Sequence, residues 1–412
     1  MATELLARGH DVLLLPVYTP THTDEPNVSN DHVALGGISA YLEQYVPLFR
    51  KTPTWLDRLW DSKAVLSLAS RKSISVNPKM LGEMTVSVLR GEEGFQRKEI
   101  HKLIEWVKQL PPPDIINLPY TLLISLARPL KEALNCPIVC TLQGEDLFLN
   151  GLHEPYRTEA LNLIRTQVDH VDLFLSVSEY YADFMPRYLG IPAEKISVVP
   201  LGINPEGFHL PEPKAGGSFT VGFFGRVAPE KGLHVLAEAY RLLRESGDLP
   251  QARLEVAGYM APDSQPYLRE IKARLEQVKL GDEFHYRGVL DRADKIQFLR
   301  RLDVMSMPAT YDEPKGVSLL EAMACGVPLV QPRRGGFTEI VEKTGGGLLV
   351  KPDDPESLAN GIREIYRNKE LAAELGARGY RGVREHYTAA HMADKLMIAF
   401  QSITPVAENK VA

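Results

Sequence analysis

Short strand-like runs, most of them dense in apolar residues, recur along this chain. They lie at Ile115–Leu118, Ile138–Leu142, Leu173–Val177 and Ile196–Val199, and again at Phe219–Phe224, Leu254–Ala257, Phe284–Arg287, Val304–Met307, Val327–Val330 and Leu348–Val350. Stretches of helical periodicity separate them. A strand that is apolar on both faces is buried on both, which predicts parallel sheets covered by helices on each side. Between the two series lies Leu201–Gly217, rich in Pro and Gly and starting nothing periodic, which reads as an interdomain linker. The expected α/β architecture is therefore two Rossmann-like, doubly wound domains, residues 1–204 and 205–385, followed by a helical run at Ala389–Ile403 within a terminal segment 386–412. A chain of 412 residues is long enough for two such cores. Ligands of such sheets gather at the carboxyl ends of the strands.

The amino-terminal part is less regular. ATELLARGHDV reads as the end of a helix stopped at Gly9, followed by a buried strand from Val12 to Tyr18 and a polar loop from Thr19 to Asp31. Gly36 and Gly37 introduce a helix whose apolar face carries Ile38, Tyr41, Leu42, Tyr45 and Val46. Residues Thr54 to Arg90 are helical in tone, with Trp55 and Trp60 among scattered basic residues. A basic helix with Trp can lie on an anionic membrane, but an insertion packed on its own domain is the preferred reading. Ile100–Leu110 continues as a helix that Pro111–Pro113 ends.

Charge and cysteine content narrow the function classes. A formal net charge of -6 lacks the basic footprint of a nucleic-acid binder. Cys136, Cys140 and Cys325 sit in apolar runs and read as core thiols rather than metal ligands. No run of 18 apolar residues occurs, and Met1–His10 carries charges where a signal peptide needs an apolar core. The expectation is a cytoplasmic protein with at most peripheral membrane contact.

The chemistry concentrates in the second half. In YDEPKGVSLLEAMACGVPLV, Tyr311–Val330, Pro314 and Gly316 disfavour helix before Val317, whereas Val317–Cys325 has helical spacing and Gly326 is a good stop. Glu313 then lies in the loop before the helix and Glu321 one turn inside it. The amides of Val317 and Ser318 form an anion site at the helix start, suited to phosphate. Two carboxylates beside a phosphate repel it, so they more plausibly accept hydrogen bonds from ribose or sugar hydroxyls. Directly after the Phe219–Phe224 run comes GRVAPEKG, Gly225–Gly232, which places Arg226 and Lys231 at a strand end.

These words resemble the E-x7-E and GR-x-x-P-x-KG signatures of the family-4 retaining glycosyltransferases, supported by EAMACGVPLV and GGFTEIVE. The resemblance implies the GT-B architecture, two Rossmann-like domains facing a cleft, with the C-terminal helix crossing back to the first domain. It implies that Glu321 holds the nucleotide ribose and Glu313 the donor sugar, with Arg226 and Lys231 meeting the diphosphate. Donor contacts follow at Gly225, Gly258, Lys315, Gly316, Val317 and Ser318, and Arg287, Gly288 and Val289 meet the base, largely through backbone atoms. Lys315 stands where the family often has an aromatic residue, so it can pair with a phosphate or an acidic sugar. No pair of aspartates separated by one residue exists to chelate a metal; Asp353 and Asp354 look like a helix cap. Neither metal nor cofactor is expected beyond the nucleotide diphosphate sugar as co-substrate.

The first domain departs from the family. Gln143 stands where many relatives carry a histidine, and Gln cannot titrate near neutral pH. Glu145 and Asp146 are the neighbouring candidates for touching acceptor or sugar, with helix capping an equal reading for Asp146; Gly36 and Gly37 complete the acceptor side. Relatives also place a strand and a glycine-rich loop before the opening helix, so this domain is expected to lack its first strand, roughly 20 to 35 residues. The function implied is a retaining, metal-independent hexosyltransferase acting from a nucleotide sugar donor onto a hydroxyl-bearing acceptor, whether sugar, lipid or small molecule. A nucleotide-sugar epimerase of the same architecture and a non-catalytic sugar-nucleotide-binding protein are the alternatives.

Overall fold

A computed structural model describes residues 1–21, 23–51, 78–210 and 216–404. Two compact units divide the chain. The first comprises Met1–Val177, Tyr181–Val199 and the chain from Ala393 onward; the second comprises Ser178–Tyr180 and Pro200–Met392. The helix Ala389–Gln401 thus carries the chain back to the first unit, where Asp394 pairs with Arg8 at 2.6 Å.

The first unit holds a parallel sheet of β1 (Ile116–Leu118), β2 (Ile138–Leu142), β3 (Leu173–Ser176) and β4 (Ile196–Val198), in that spatial order. Ile116 pairs with Ile138, Val139 with Leu173 and Phe174 with Ile196. Ile138, Val139, Cys140 and Leu142 are fully buried, as continuous apolar character requires.

The second unit is built on β5 (Phe219–Phe224), β6 (Ala252–Ala257), β7 (Phe284–Tyr286), β8 (Val304–Met305), β9 (Leu329–Pro332) and β10 (Gly347–Val350). The strand order is β10-β9-β8-β5-β6-β7, with every pair parallel. The chain runs outward from β5 through β6 and β7, then returns to lay β8 on the other side of β5. That reversal is a topological switch point, where doubly wound sheets open a crevice at the carboxyl ends of the strands.

Three expectations are corrected. Val12–Tyr18 forms no named strand: it makes one isolated bridge, Leu14 to Ser29, and Leu13 and Leu14 are 48% and 37% exposed. An apolar run becomes a strand only where a neighbour completes its ladder. The strand expected at Val327–Val330 begins instead at Leu329, because the Val327 amide bonds the Ala322 carbonyl (3.1 Å) and still closes the preceding helix. The helix expected at Ile100–Leu110 spans Arg97–Val107. The Trp55 and Trp60 segment lies outside the described residues, as does the tail from Pro405. Among the described residues no helix is long and apolar enough to cross a membrane.

Candidate functional site

Glycine turns line the carboxyl edge of the second sheet. Gly225 follows β5, Gly258 follows β6 and Gly288 follows β7. Gly258 has φ +136, and a Cβ there would stand 1.9 Å from the Gly225 carbonyl oxygen, so the two turns touch backbone to backbone. The Gly225 amide donates to Ala257 O (3.1 Å) and the Gly258 amide to Gly288 O (2.8 Å), linking three strand ends in a row. Arg287 lies against Glu255 with two hydrogen bonds of 2.7 and 2.8 Å, and Val289 is 71% exposed beside it.

The switch point brings Lys231 and Glu313 together. Gly232, with φ +77, presses on the segment after β8; a Cβ there would lie 1.8 Å from Pro308 O. The Thr310 amide donates to Glu230 O (3.0 Å), tying the two loops. The Lys231 ammonium then donates to Glu313 Oε2 and to the Tyr311 hydroxyl (2.8 Å), while the Tyr311 hydroxyl also donates to Glu313 Oε2. Glu313 is buried. Burial pushes its carboxyl up, but Lys231 and the Tyr311 hydrogen bond outweigh that and hold it below the usual carboxylate range. Arg226 points elsewhere, to Glu230, in a partly exposed pair.

Glu313 is fixed from behind. The Gly336 amide donates to Glu313 O (2.8 Å), and Gly335, with φ +51, sits where a Cβ would lie 2.9 Å from Glu313 N. The next helix, Val317–Ala324, starts after Gly316, whose carbonyl accepts from the amides of Leu319 (2.9 Å) and Leu320 (3.0 Å). The amides of Val317 and Ser318 precede that first intrahelical bond and point out of the helix start. The side chain of Lys315 is half-buried beside Glu313.

Glu321 has a partner that sequence reasoning did not name. Lys295 donates to Glu321 Oε1 at 2.6 Å, with both residues under 10% exposed. Lys295 belongs to the helix Arg292–Arg300, whose buried residues are Lys295, Phe298 and Leu299. The available signal was a lysine at the i position of an i, i+3, i+4 apolar face, where a charge is not expected.

The first-unit candidates are each bonded within that unit. The Gly36 amide donates to buried Glu99 Oε2 (2.9 Å), immediately before the helix Gly37–Tyr45. Gln143 donates through Nε2 to Pro119 O (2.7 Å) and through its amide to Glu145 Oε2 (2.8 Å). Glu145 Oε1 accepts from the Thr121 amide (3.2 Å) and hydroxyl (3.0 Å). Asp146 Oδ1 accepts from the Tyr181 hydroxyl (2.7 Å), and burial together with these two carboxylates pushes the Tyr181 phenol far up. Asp146 does not cap the helix Glu145–Asn150; that position belongs to Gly144, without a side-chain cap. The carboxylates of Glu145 and Asp146 are thus turned inward to brace their own loop. Asp354 does cap, accepting from the Glu356 and Ser357 amides, and Asp353 pairs with Arg334.

Two family models match in tandem: Glycosyltransferase Family 4 over residues 84–206 and Glycosyl transferases group 1 over residues 208–382. The D-inositol 3-phosphate glycosyltransferase of Jonesia denitrificans is 30% identical over 205 residues, 49% of this chain and 45% of that protein. The chain spans about half the length of the curated relatives it matches. Among solved structures, the sucrose-phosphate synthase of Thermosynechococcus elongatus superposes with TM-score 0.65 at 20% identity, over 79% of this chain and 80% of that one. The Anabaena protein HepE in complex with UDP-glucose superposes with TM-score 0.64 at 18% identity, over 94% and 100%. The fold is that of the GT-B glycosyltransferases.

Proposed function

The chain belongs to the family-4, group 1 glycosyltransferases, and from that premise we propose that it moves a hexose-type sugar from a nucleotide diphosphate sugar to a hydroxyl acceptor, with retention and without a metal ion. The observation that carries the reading is the meeting of Lys231 and Glu313 at the switch point of the second sheet. The UDP-glucose bound by HepE supports a donor of the same chemical kind.

In the reaction the bond between the sugar C1 and a diphosphate oxygen breaks. The acceptor oxygen bonds to C1, and its proton passes to the departing diphosphate. Negative charge grows on that leaving group, and preorganised cations stabilise it most when they need not move. Lys231 and Arg226 take this role, aided by the amides of Val317 and Ser318 at the helix start. Diphosphate competes with Glu313 for Lys231 and with Glu230 for Arg226. Glu313, once shared, accepts from donor-sugar hydroxyls, and Glu321 accepts from the ribose pair. Gly225, Gly258, Arg287, Gly288 and Val289 border the nucleoside, and Lys315 meets a phosphate or an acidic substituent of the sugar. Gly36, Gly37, Gln143, Glu145 and Asp146 belong to the acceptor side by the family pattern, the last two through the shape of their loop.

The test is release of nucleoside diphosphate from a panel of nucleotide sugars, with and without candidate acceptors. Acceptor-dependent release is expected; isomerised donor identifies an epimerase, and binding without turnover a non-catalytic protein. Lys231→Ala and Arg226→Ala should each lower turnover on the order of a hundredfold to a thousandfold. A loss under threefold for both defeats the assignment.

A further inference from the structure

We propose that Lys295 is a positioning residue for nucleotide recognition, holding Glu321 in the orientation that accepts the ribose hydroxyls; this rests on the nucleotide site proposed above. A lysine with its ammonium buried is costly unless paired, and even a well-made buried pair adds little to stability compared with apolar residues of the same volume. Lys295 nevertheless occupies a face it shares with Phe298 and Leu299, where an apolar residue would pack without that penalty. Its ammonium meets Glu321 Oε1 at 2.6 Å.

Both ends of the pair are anchored by backbone. Asp291 caps the lysine's helix by accepting from the Asp294 amide (2.8 Å), and the Lys295 amide bonds Asp291 O (2.8 Å), which places Lys295 in the first turn. Glu321 lies between Leu319, Leu320, Ala322, Met323 and Ala324, all essentially inaccessible, so its helix cannot rotate. What remains adjustable is the glutamate side chain, which has several rotamers to lose. An ammonium fixed on a neighbouring helix selects among them before any ligand arrives. A bidentate acceptor for two vicinal hydroxyls is sensitive to that choice, whereas the diphosphate and the reacting carbon are met by other residues.

The experiment titrates UDP, ADP and GDP into the whole protein and continues with the tightest binder and its 2′-deoxy form. Lys295→Met is expected to weaken binding of the ribonucleotide roughly tenfold to a hundredfold, the loss of one charge-assisted contact. It should weaken binding of the 2′-deoxy form less, because only the 3′-hydroxyl contact is left to lose there, which narrows the preference for the ribonucleotide at least threefold. Donor KM should rise in step while kcat stays within threefold. Glu321→Gln should give the same pattern, and the double variant should be no weaker than the weaker single variant, as for residues acting through one another. If Lys295→Met does not fold, Lys295→Arg carries the test: the charge stays but a planar fork replaces a point donor, and the ribose preference should change at least threefold. An unchanged preference in the folded variant, or fully additive losses in the double variant, overturns the proposal. If the wild type binds none of the three nucleotides, the nucleotide site itself falls, a result read without any Lys295 variant.

Discussion

Replacing Lys231 by methionine strands the Glu313 carboxylate in the interior of the second unit. The Glu313 side chain is 4% exposed and that of Lys231 14%. Removing one partner of a buried pair costs about 3–5 kcal/mol, because the remaining charge loses its direct counterion while shielded from water. The residual exposure of Lys231, together with the Tyr311 hydrogen bond and Lys315 that stay on Glu313, puts this pair near the lower end, about 3 kcal/mol. At about 2–4 °C per kcal/mol for a domain of 150–250 residues, the melting temperature falls by roughly 6–12 °C at pH 7.

Titration separates this cause from lost packing. In the wild type, burial pushes the Glu313 carboxyl up, yet Lys231 and Tyr311 leave it below its usual 4.5. A carboxyl depressed on folding contributes stability above its unfolded pKa, and that contribution is lost as pH falls through the lower folded value. Without Lys231, burial, the largest influence on this carboxyl, is opposed only by Tyr311 and Lys315, and the folded value is expected to rise above the unfolded one. The penalty is then complete at neutral pH and disappears as pH falls through the unfolded value. The deficit between variant and wild type should therefore shrink from pH 7 to pH 4. Calorimetry of the wild type, Lys231→Met and Lys231→Met/Glu313→Gln at both pH values measures it, with the double variant recovering most of the loss at pH 7. A drop under 3 °C at pH 7, or an equal drop at both pH values, refutes the reasoning.

Gly258→Ala should destabilise the second unit by on the order of 2 kcal/mol and weaken nucleotide binding, since its Cβ would lie 1.9 Å from the Gly225 carbonyl oxygen in a strained φ of +136; a melting temperature and nucleotide affinity equal to the wild type would contradict that close approach. Exhaustive treatment with EDTA should leave transfer within twofold of the untreated rate, measured as nucleoside diphosphate release, and loss of turnover restored by magnesium or manganese would falsify the metal-free mechanism.

The parallel sheets were legible because their signal is local. Ile138–Leu142 and Phe219–Phe224 carry their burial in their own side chains, and both strands fall where the apolar runs lie. Val12–Tyr18 carries the same signal and fails, because its partner is not written in its own residues. The site was legible in part. Glycine after a strand and a helix start after Gly316 follow from local conformation, whereas the pairing of Lys295 with Glu321 joins residues 26 apart through tertiary packing. Glu145 and Asp146 read in sequence as candidates for touching acceptor or sugar, yet Thr121 and Tyr181 lie close enough to bond their carboxylates within the loop. Only the three-dimensional neighbourhood distinguishes an acid that faces a ligand from one that braces a loop.

Glu313, Glu321 and the neighbouring Glu230 pose an electrostatic problem for the proposed phosphate site, and each of them is paired with a cation. Glu313 has Lys231, Glu321 has Lys295, and Glu230 has Arg226. These pairs sum to zero charge, so, apart from Lys315, attraction for the proposed diphosphate depends on how readily each cation changes partner. Exposure ranks them. Arg226 and Glu230, with side chains 46% and 25% exposed, form an i,i+4 pair of the kind worth about 0.3–0.5 kcal/mol, which a polyvalent anion displaces at little cost. Lys231 and Glu313 are more enclosed, and Tyr311 bonds both, so the phenol can keep the carboxylate satisfied while the ammonium turns to phosphate. Lys295 and Glu321, with side chains 9% and 11% exposed, are enclosed on both sides, and opening that pair would leave a buried charge behind. A donor bound as proposed would therefore meet one cation that is easily recruited, one that can be shared, and one that stays with its acid and fixes it.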